Sequence, residues 1–216
     1  MDILWYGHAC FRIKDRTATI ITDPFDKSIG LSPVGLKGDI VTVSHAHPGH
    51  SNVKAVKGNP FVIDGPGEYE VSGVFITGIS SYHDTRNGRE YGKNTIFVFE
   101  MDGLRVCHLG DLGHIPSQSQ VEAIGDINVL LMPVGGGASL KASQATEVVS
   151  LLEPSIVVPM HYRLSGLAMK LDPVSKFLKE LGIASAEEQD MLKVSVSTLP
   201  EETQVVLLRP KLENGD

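Results

Sequence analysis

The stretch SHAHPGH, residues 44–50, puts His45, His47 and His50 within one short segment of an acidic chain. It follows an apolar run at 40–43 that reads as a strand buried on both faces and stops abruptly at Ser44. His45 therefore stands at the C-terminal end of a strand, where α/β proteins gather their sites. Neutral imidazole is the commonest protein ligand for zinc, and an open zinc site takes about three ligands plus water. The competing reading is a polar loop in which three histidines coincide.

Working outward, the 216 residues suffice for one well-buried domain. Hydrophobic residues make up 42% and charged residues 21%, the balance of an ordinary globular chain. The formal charge of −7 comes with no basic stripe, which argues against a polynucleotide partner. Cys10 and Cys107 are far apart and form no CxxC pair, so they read as buried free thiols of a reducing compartment. The N-terminus MDILWYGHACF lacks a basic region followed by an apolar one, and no run is long enough to span a bilayer. These features predict a cytoplasmic protein without a nucleic-acid or membrane partner; they leave its oligomeric state open.

Short apolar or β-branched runs predict strands at 3–5, 9–13, 19–22, 40–43, 61–63, 69–71 and 74–77. Strands at 95–100 and 104–109 flank Met101-Asp102-Gly103, a strong hairpin signal. Further strands are predicted at 129–132, 156–158, 194–197 and 204–208. Helices are predicted at 51–56, 117–124, 142–152 and 173–181, with Pro173 at the start and Gly182 at the end of the last. One domain over residues 1–210 and a frayed tail at 211–216 follow. Strands then a helix, twice, suit two sheets packed face to face with helices outside.

Other candidate residues share the position of the first cluster. Asp111 lies in CHLGDLG, just beyond an apolar strand, between Gly110 and Gly113. It reads as a carboxylate able to bridge two ions or as a helix-capping turn residue. His161 ends the run VVPMH, and His83 follows the stretch that begins at Val74. A histidine or aspartate leaves a strand four times over, and that recurrence carries the metal reading. Asp23, before Pro24, reads either as a turn residue or as the acceptor that fixes a ligand imidazole's tautomer. His8 reads as a packed strand-end residue or as a group contacting substrate. His108 reads as structural, and His114 as a loop residue near the mouth. The glycine-rich turn PVGGGA, residues 133–138, lacks a phosphate-loop signature and reads as backbone passing close to the rim. No GxSxG elbow is present, so a serine nucleophile is disfavoured.

The ordered set HxHxxH, His83, Gly110-Asp111 and Pro159-Met160-His161 resembles the metallo-β-lactamase-fold hydrolases. WYGHACF at 5–11, with Thr22-Asp23-Pro24, is similar to the branch that includes the ascorbate-6-phosphate lactonases. The resemblance spans the chain. It implies an αββα sandwich of two mixed sheets and a dinuclear site at one rim. His45, His47 and His83 would hold the first ion, His50 and His161 the second, with Asp111 bridging. It further implies a metal-dependent hydrolase that uses a metal-bound hydroxide on a small ester, lactone or phosphoester. His8 would serve as a rim group or proton donor, and Asp23 would stand behind the ligands. His47 stands where di-iron relatives carry Glu, so imidazole-rich ligation suits one or two zinc ions, with manganese, iron or nickel as alternatives.

The departure is Gly49, because the family pattern is HxHxDH. Three expectations follow: a single ion, a surrogate carboxylate from Asp84 or Glu68, or a non-catalytic metal- or ligand-binding relic. On the hydrolase reading, Gly49→Asp is expected to raise metal affinity or activity.

Overall fold

The computed structural model describes residues 1–186 and 188–213. The first sheet contains β1 (Asp2–Trp5), β2 (Phe11–Lys14), β3 (Thr19–Thr22), β4 (Ile40–Thr42) and β5 (Phe61–Ile63). The second contains β6 (Gly67–Val71), β7 (Val74–Tyr82), β8 (Lys93–Met101), β9 (Leu104–His108), β10 (Val129–Pro133) and β11 (Ile156–Met160). Four two-residue strands follow: β12 (Glu188–Gln189), β13 (Leu192–Lys193), β14 (Gln204–Val205) and β15 (Leu207–Leu208). β13 extends the first sheet beside β1, β14 extends the second beside β11, and β12 pairs with β15. Both sheets mix parallel and antiparallel pairs, as β3–β4 and β2–β3 illustrate.

Three helices accompany the second sheet: α1 (Gln118–Ile124), α2 (Ala142–Leu152) and α3 (Val174–Glu180). β9, β10 and β11 run parallel, with α1 and α2 in the connections between them. Ser117 starts α1 with a capping box shared with Gln120. In α2 the buried residues Ala142, Ala145, Val148, Val149 and Leu152 recur at helical spacing and join the main core. That core also takes Trp5, Phe11, Phe97 and Phe99, all fully buried. A second apolar cluster, with Tyr6, Phe25, Leu36 and Val41, lies against the first sheet. Its cover is loop and short 3-10 turns rather than α-helix, so the sandwich carries its α-helices beside the second sheet.

Several sequence expectations shift. Residues 51–56 form only a 3-10 turn at Val53–Ala55, in which the Ala55 and Val56 N–H groups bond the Asn52 and Val53 carbonyls three residues back, each at 3.0 Å. Residues 194–197 are not a strand; Val196–Thr198 is a 3-10 turn closed by Ser195 and Thr198. The run at 204–208 splits between two sheets. The run from Val74 continues to Tyr82, so His83 leaves directly from a strand end. Residues 211–213 are not frayed: Lys211 N–H donates to the Trp5 carbonyl, and Glu213 N–H to that of Ser32. Residues 214–216 lie outside the described residues. Among the described residues no helix is long and apolar enough to cross a membrane.

The strand exits pack closely, both between the sheets and within the second one. A Cβ on Gly110 would lie 2.5 Å from Ser44 Cβ. A Cβ on Gly113 would lie 2.5 Å from the Asp84 nitrogen and 2.6 Å from its Cα. Gly113→Ala therefore forces backbone apart beside the site. Overpacking of this kind costs about 1–3 kcal/mol, which denaturant unfolding of the metal-free protein should read.

Candidate metal centre

Each candidate ligand is delivered by a strand exit or the turn that follows it. His45, His47 and His50 follow β4, His83 follows β7, Asp111 follows β9 and His161 follows β11. His8 occupies the turn between β1 and β2. The structure gathers these residues into two adjoining groups, His45, His47 and His83 in one and His8, His50, Asp111 and His161 in the other. Within each group the potential ligand atoms lie within 4.8 Å of one another.

Asp111 is the hinge between them. Its Oδ2 lies 3.1 Å from the Nε2 atoms of His50 and His161, 3.2 Å from that of His83 and 4.0 Å from that of His45. Its backbone N–H donates to Asn94 Oδ1 at 3.0 Å, and Asn94 Nδ2 donates to the Leu109 carbonyl, which fixes the turn. Burial opposes ionisation of Asp111, but the flanking His161 and His50 hold its carboxyl well below the usual range.

The outer nitrogens of three imidazoles are tied back, which orients their inner ones. Ser44 donates its hydroxyl to Asp23 Oδ2 at 2.6 Å. With that proton committed, Ser44 Oγ accepts from His45 Nδ1 at 2.9 Å. Ser139 donates to the Gly136 carbonyl and so accepts from His161 Nδ1 at 3.3 Å. Asp23 Oδ2 accepts from His50 Nδ1 at 2.8 Å. On His45 and His161 the Nδ1–H leaves an Nε2 lone pair on the side of Asp111, and His50 offers one once its second proton has left. His45 Nε2, His161 Nε2 and Asp111 Oδ1 have no hydrogen-bond partner among the described residues. Buried polar atoms rarely stay unpaired, and converging imidazole lone pairs around one carboxylate fit divalent cations.

The titration behaviour matches this arrangement. Burial lowers the His45 pKa to about 3, so its imidazole is neutral. Burial also disfavours a charge on His50, but Asp111 and Asp23 outweigh it and raise its pKa to about 10. In the metal-free protein His50 is thus a cation between two carboxylates.

Ser44, Asn94 and Ser139 are participants that sequence reasoning missed, since nothing in their local pattern marks them. His8 is 1% exposed, with Nε2 at 2.9 Å from His50 Nε2, and it lines the cavity that opens over the cluster. The surrogate carboxylates fail. Asp84 accepts from the backbone N–H groups of Arg86, Gly88, Glu90 and Tyr91, which occupies both its oxygens. Glu68 sits on β6 and is exposed. His108 donates to the Ala9 carbonyl, and His114 binds the backbone at Tyr82 and Ile115; neither joins the cluster.

Residues 2–161 match the Beta-lactamase superfamily domain. The chain belongs to that superfamily, in its metallo-β-lactamase-fold form. A solved Thermotoga maritima protein, described as a candidate zinc-dependent hydrolase of the metallo-β-lactamase superfamily, is 43% identical with a TM-score of 0.79. That match covers 96% of this chain and 97% of the other. A UPF0173 metal-dependent hydrolase of Thermoplasma acidophilum is 29% identical, over 80% of this chain and 88% of its own length. A UPF0173 protein of Pyrococcus furiosus is 30% identical, over 84% and 90%. This metallo-β-lactamase-fold chain thus has relatives named as metal-dependent and carries a ligand cluster suited to metal.

Two tests follow from the electrostatics. A metal ion entering the centre must displace the His50 proton, so affinity rises with pH up to about 10. Calorimetry in buffers of different ionisation enthalpy should show release of about one proton near neutrality. The stabilising effect of charged His50 on the metal-free fold has the opposite sense. It is complete below about 6.5 and fades as pH rises toward about 10. Separately, Asp23→Asn loses the acceptor shared by Ser44 and His50 and should weaken metal binding by about 10–100-fold, read by competition with a chromogenic chelator.

Proposed function

We propose that the chain is a metal-dependent hydrolase with a dinuclear centre, acting on a small ester, lactone or phosphoester. The observation that carries this is Asp111 Oδ2, placed between two imidazole groups that close on it from both sides. His45, His47 and His83 would hold one ion; His50 and His161 would contribute to the other; Asp111 would bridge. Zinc is the favoured metal, given the imidazole-rich donor set, with manganese, iron or nickel as alternatives. When bound, divalent ions would supply a water acidified to near neutral pH and polarise a carbonyl or phosphoryl oxygen.

The chain's own residues set the rest. A cavity of about 590 Å³ opens over the centre, within the range of small-molecule sites. Its walls include Ile29, Pro48, Met169 and Leu171, which exclude water from an apolar portion of substrate. Among the described residues Asp111 is the one carboxylate lining it, and Lys170 adds a positive charge. That balance favours a substrate bearing negative charge, such as a phosphoester or an acidic lactone. Ser44, Ser139 and Asp23 keep the imidazoles aimed, so no reorganisation is needed when substrate arrives. A cytoplasmic setting and a small-molecule rather than nucleic-acid substrate complete the reading.

The test is elemental analysis of the purified chain followed by a hydrolysis screen on lactones and phosphoesters, with and without a chelator. Two ions per chain and turnover abolished by the chelator are expected. Lys170→Ala should raise KM for acidic substrates by about fivefold, the scale of a solvent-exposed ion pair, and leave neutral ones unchanged. A chain that takes up no zinc, manganese, iron or nickel, or that turns over equally well without metal, would overturn the proposal.

A further inference from the structure

Position 49 has no side chain, yet the space beside it is not empty. A Cβ built on Gly49 would lie 2.7 Å from His8 Nε2 and 3.3 Å from His8 Cδ2. Real Cβ atoms essentially never show the first distance, so a side chain at 49 requires the His8 ring to move from where it stands. The turn that carries the ring is held in place. The His8 carbonyl accepts from Trp5 Nε1 and from the His161 N–H, each at 3.1 Å. His8 adopts φ 53°, a left-handed conformation that a histidine rarely takes. Its ring lies against those of His50 and His161, with centroids 4.6 and 4.4 Å away. Its Nε2 falls 2.9 Å from His50 Nε2, close enough for both nitrogens to meet one cation.

We propose that His8 is a ligand of the second ion, and that Gly49 is the condition for it: the imidazole from the β1–β2 turn enters the centre through the space that a residue-49 side chain would fill. This rests on the dinuclear reading above. The second ion would then be held by His8, His50, His161 and Asp111, and the centre would contain a single carboxylate among seven donors. Gly49 is therefore not a lesion, and Gly49→Asp on its own does not improve the site. It sets a carboxylate and an imidazole against each other in one space.

The experiment is a metal titration of four chains: the native one, His8→Gly, Gly49→Asp and His8→Gly/Gly49→Asp. Glycine accepts φ 53° without strain, so His8→Gly removes the ring and leaves the turn. Bound zinc is counted by elemental analysis, and cobalt(II) absorption resolves the two binding steps. The native chain should bind two ions. His8→Gly should bind one, with its weaker step shifted by at least about tenfold, since loss of an outer partner alone costs that much. The double variant should recover the second step, while Gly49→Asp alone should melt at a lower temperature than the native chain. Should His8→Gly fail to fold, His8→Asn keeps a residue suited to the left-handed region and reports the same count. Two ions with an unshifted weaker step in His8→Gly or His8→Asn would overturn the role of His8 and leave the dinuclear reading standing. No ion in the native chain would overturn both.

Discussion

One carboxylate oxygen organises this molecule. Asp111 Oδ2 is met by Nε2 atoms from three separate strand exits at 3.1–3.2 Å. Those strands are β7 and β11 of one sheet and β4 of the other. The contact therefore ties the two layers of the sandwich together at one rim. Without a counter-charge it would be a costly arrangement, since a buried carboxylate and buried imidazoles each lose hydration. The metal-free protein meets that cost by protonating His50 between Asp111 and Asp23. A cation bound at the same place would replace the proton. Folding and metal binding thus draw on one electrostatic feature.

Holding that feature in place requires unusual backbone. His8, Asp23 and His161 have φ of 53°, 39° and 51°, all in the left-handed region. Such residues cost about 1–3 kcal/mol each and persist where their surroundings over-determine them. Here they do. The Asp23 N–H donates to the Thr42 carbonyl, the His161 N–H to that of His8, and the Gly135 N–H to that of His161. The strained turns are bonded to one another, and the aromatic core beneath them, with Trp5 against Tyr162 at 5.1 Å, gives them a rigid floor.

What could be read from the sequence follows from this geometry. β4, β10 and β11 are buried on both faces, so they appear as unbroken apolar runs, and the histidine or turn that ends each run is conspicuous. β7 hides its true end. Gly78, Ser80 and Ser81 interrupt the apolar pattern, yet they belong to the strand for reasons that lie elsewhere in the chain. A Cβ on Gly78 would meet the Gly65 carbonyl at 2.7 Å, and Ser81 pairs with Asn94 across the ladder. The two-residue strands of the C-terminal part are set by which sheet edge is free, and no local pattern encodes that. Asp84 was attractive as a carboxylate close to His83, but its neighbours along the chain are donors that consume it.

Gly49 shows the limit most directly. Read along the chain, a glycine in a ligand motif is a missing donor, and the natural places to seek a replacement are nearby carboxylates. The contact that matters is with His8, brought over by the β1–β2 turn, whose geometry depends on the left-handed backbone at 7–8 and on the Trp5 indole holding the His8 carbonyl. A motif records which side chains a segment offers. It does not record which volume beside the segment is already filled. The chemistry of the centre, with its single carboxylate and surplus of imidazole, depends on that filled volume as much as on the motif.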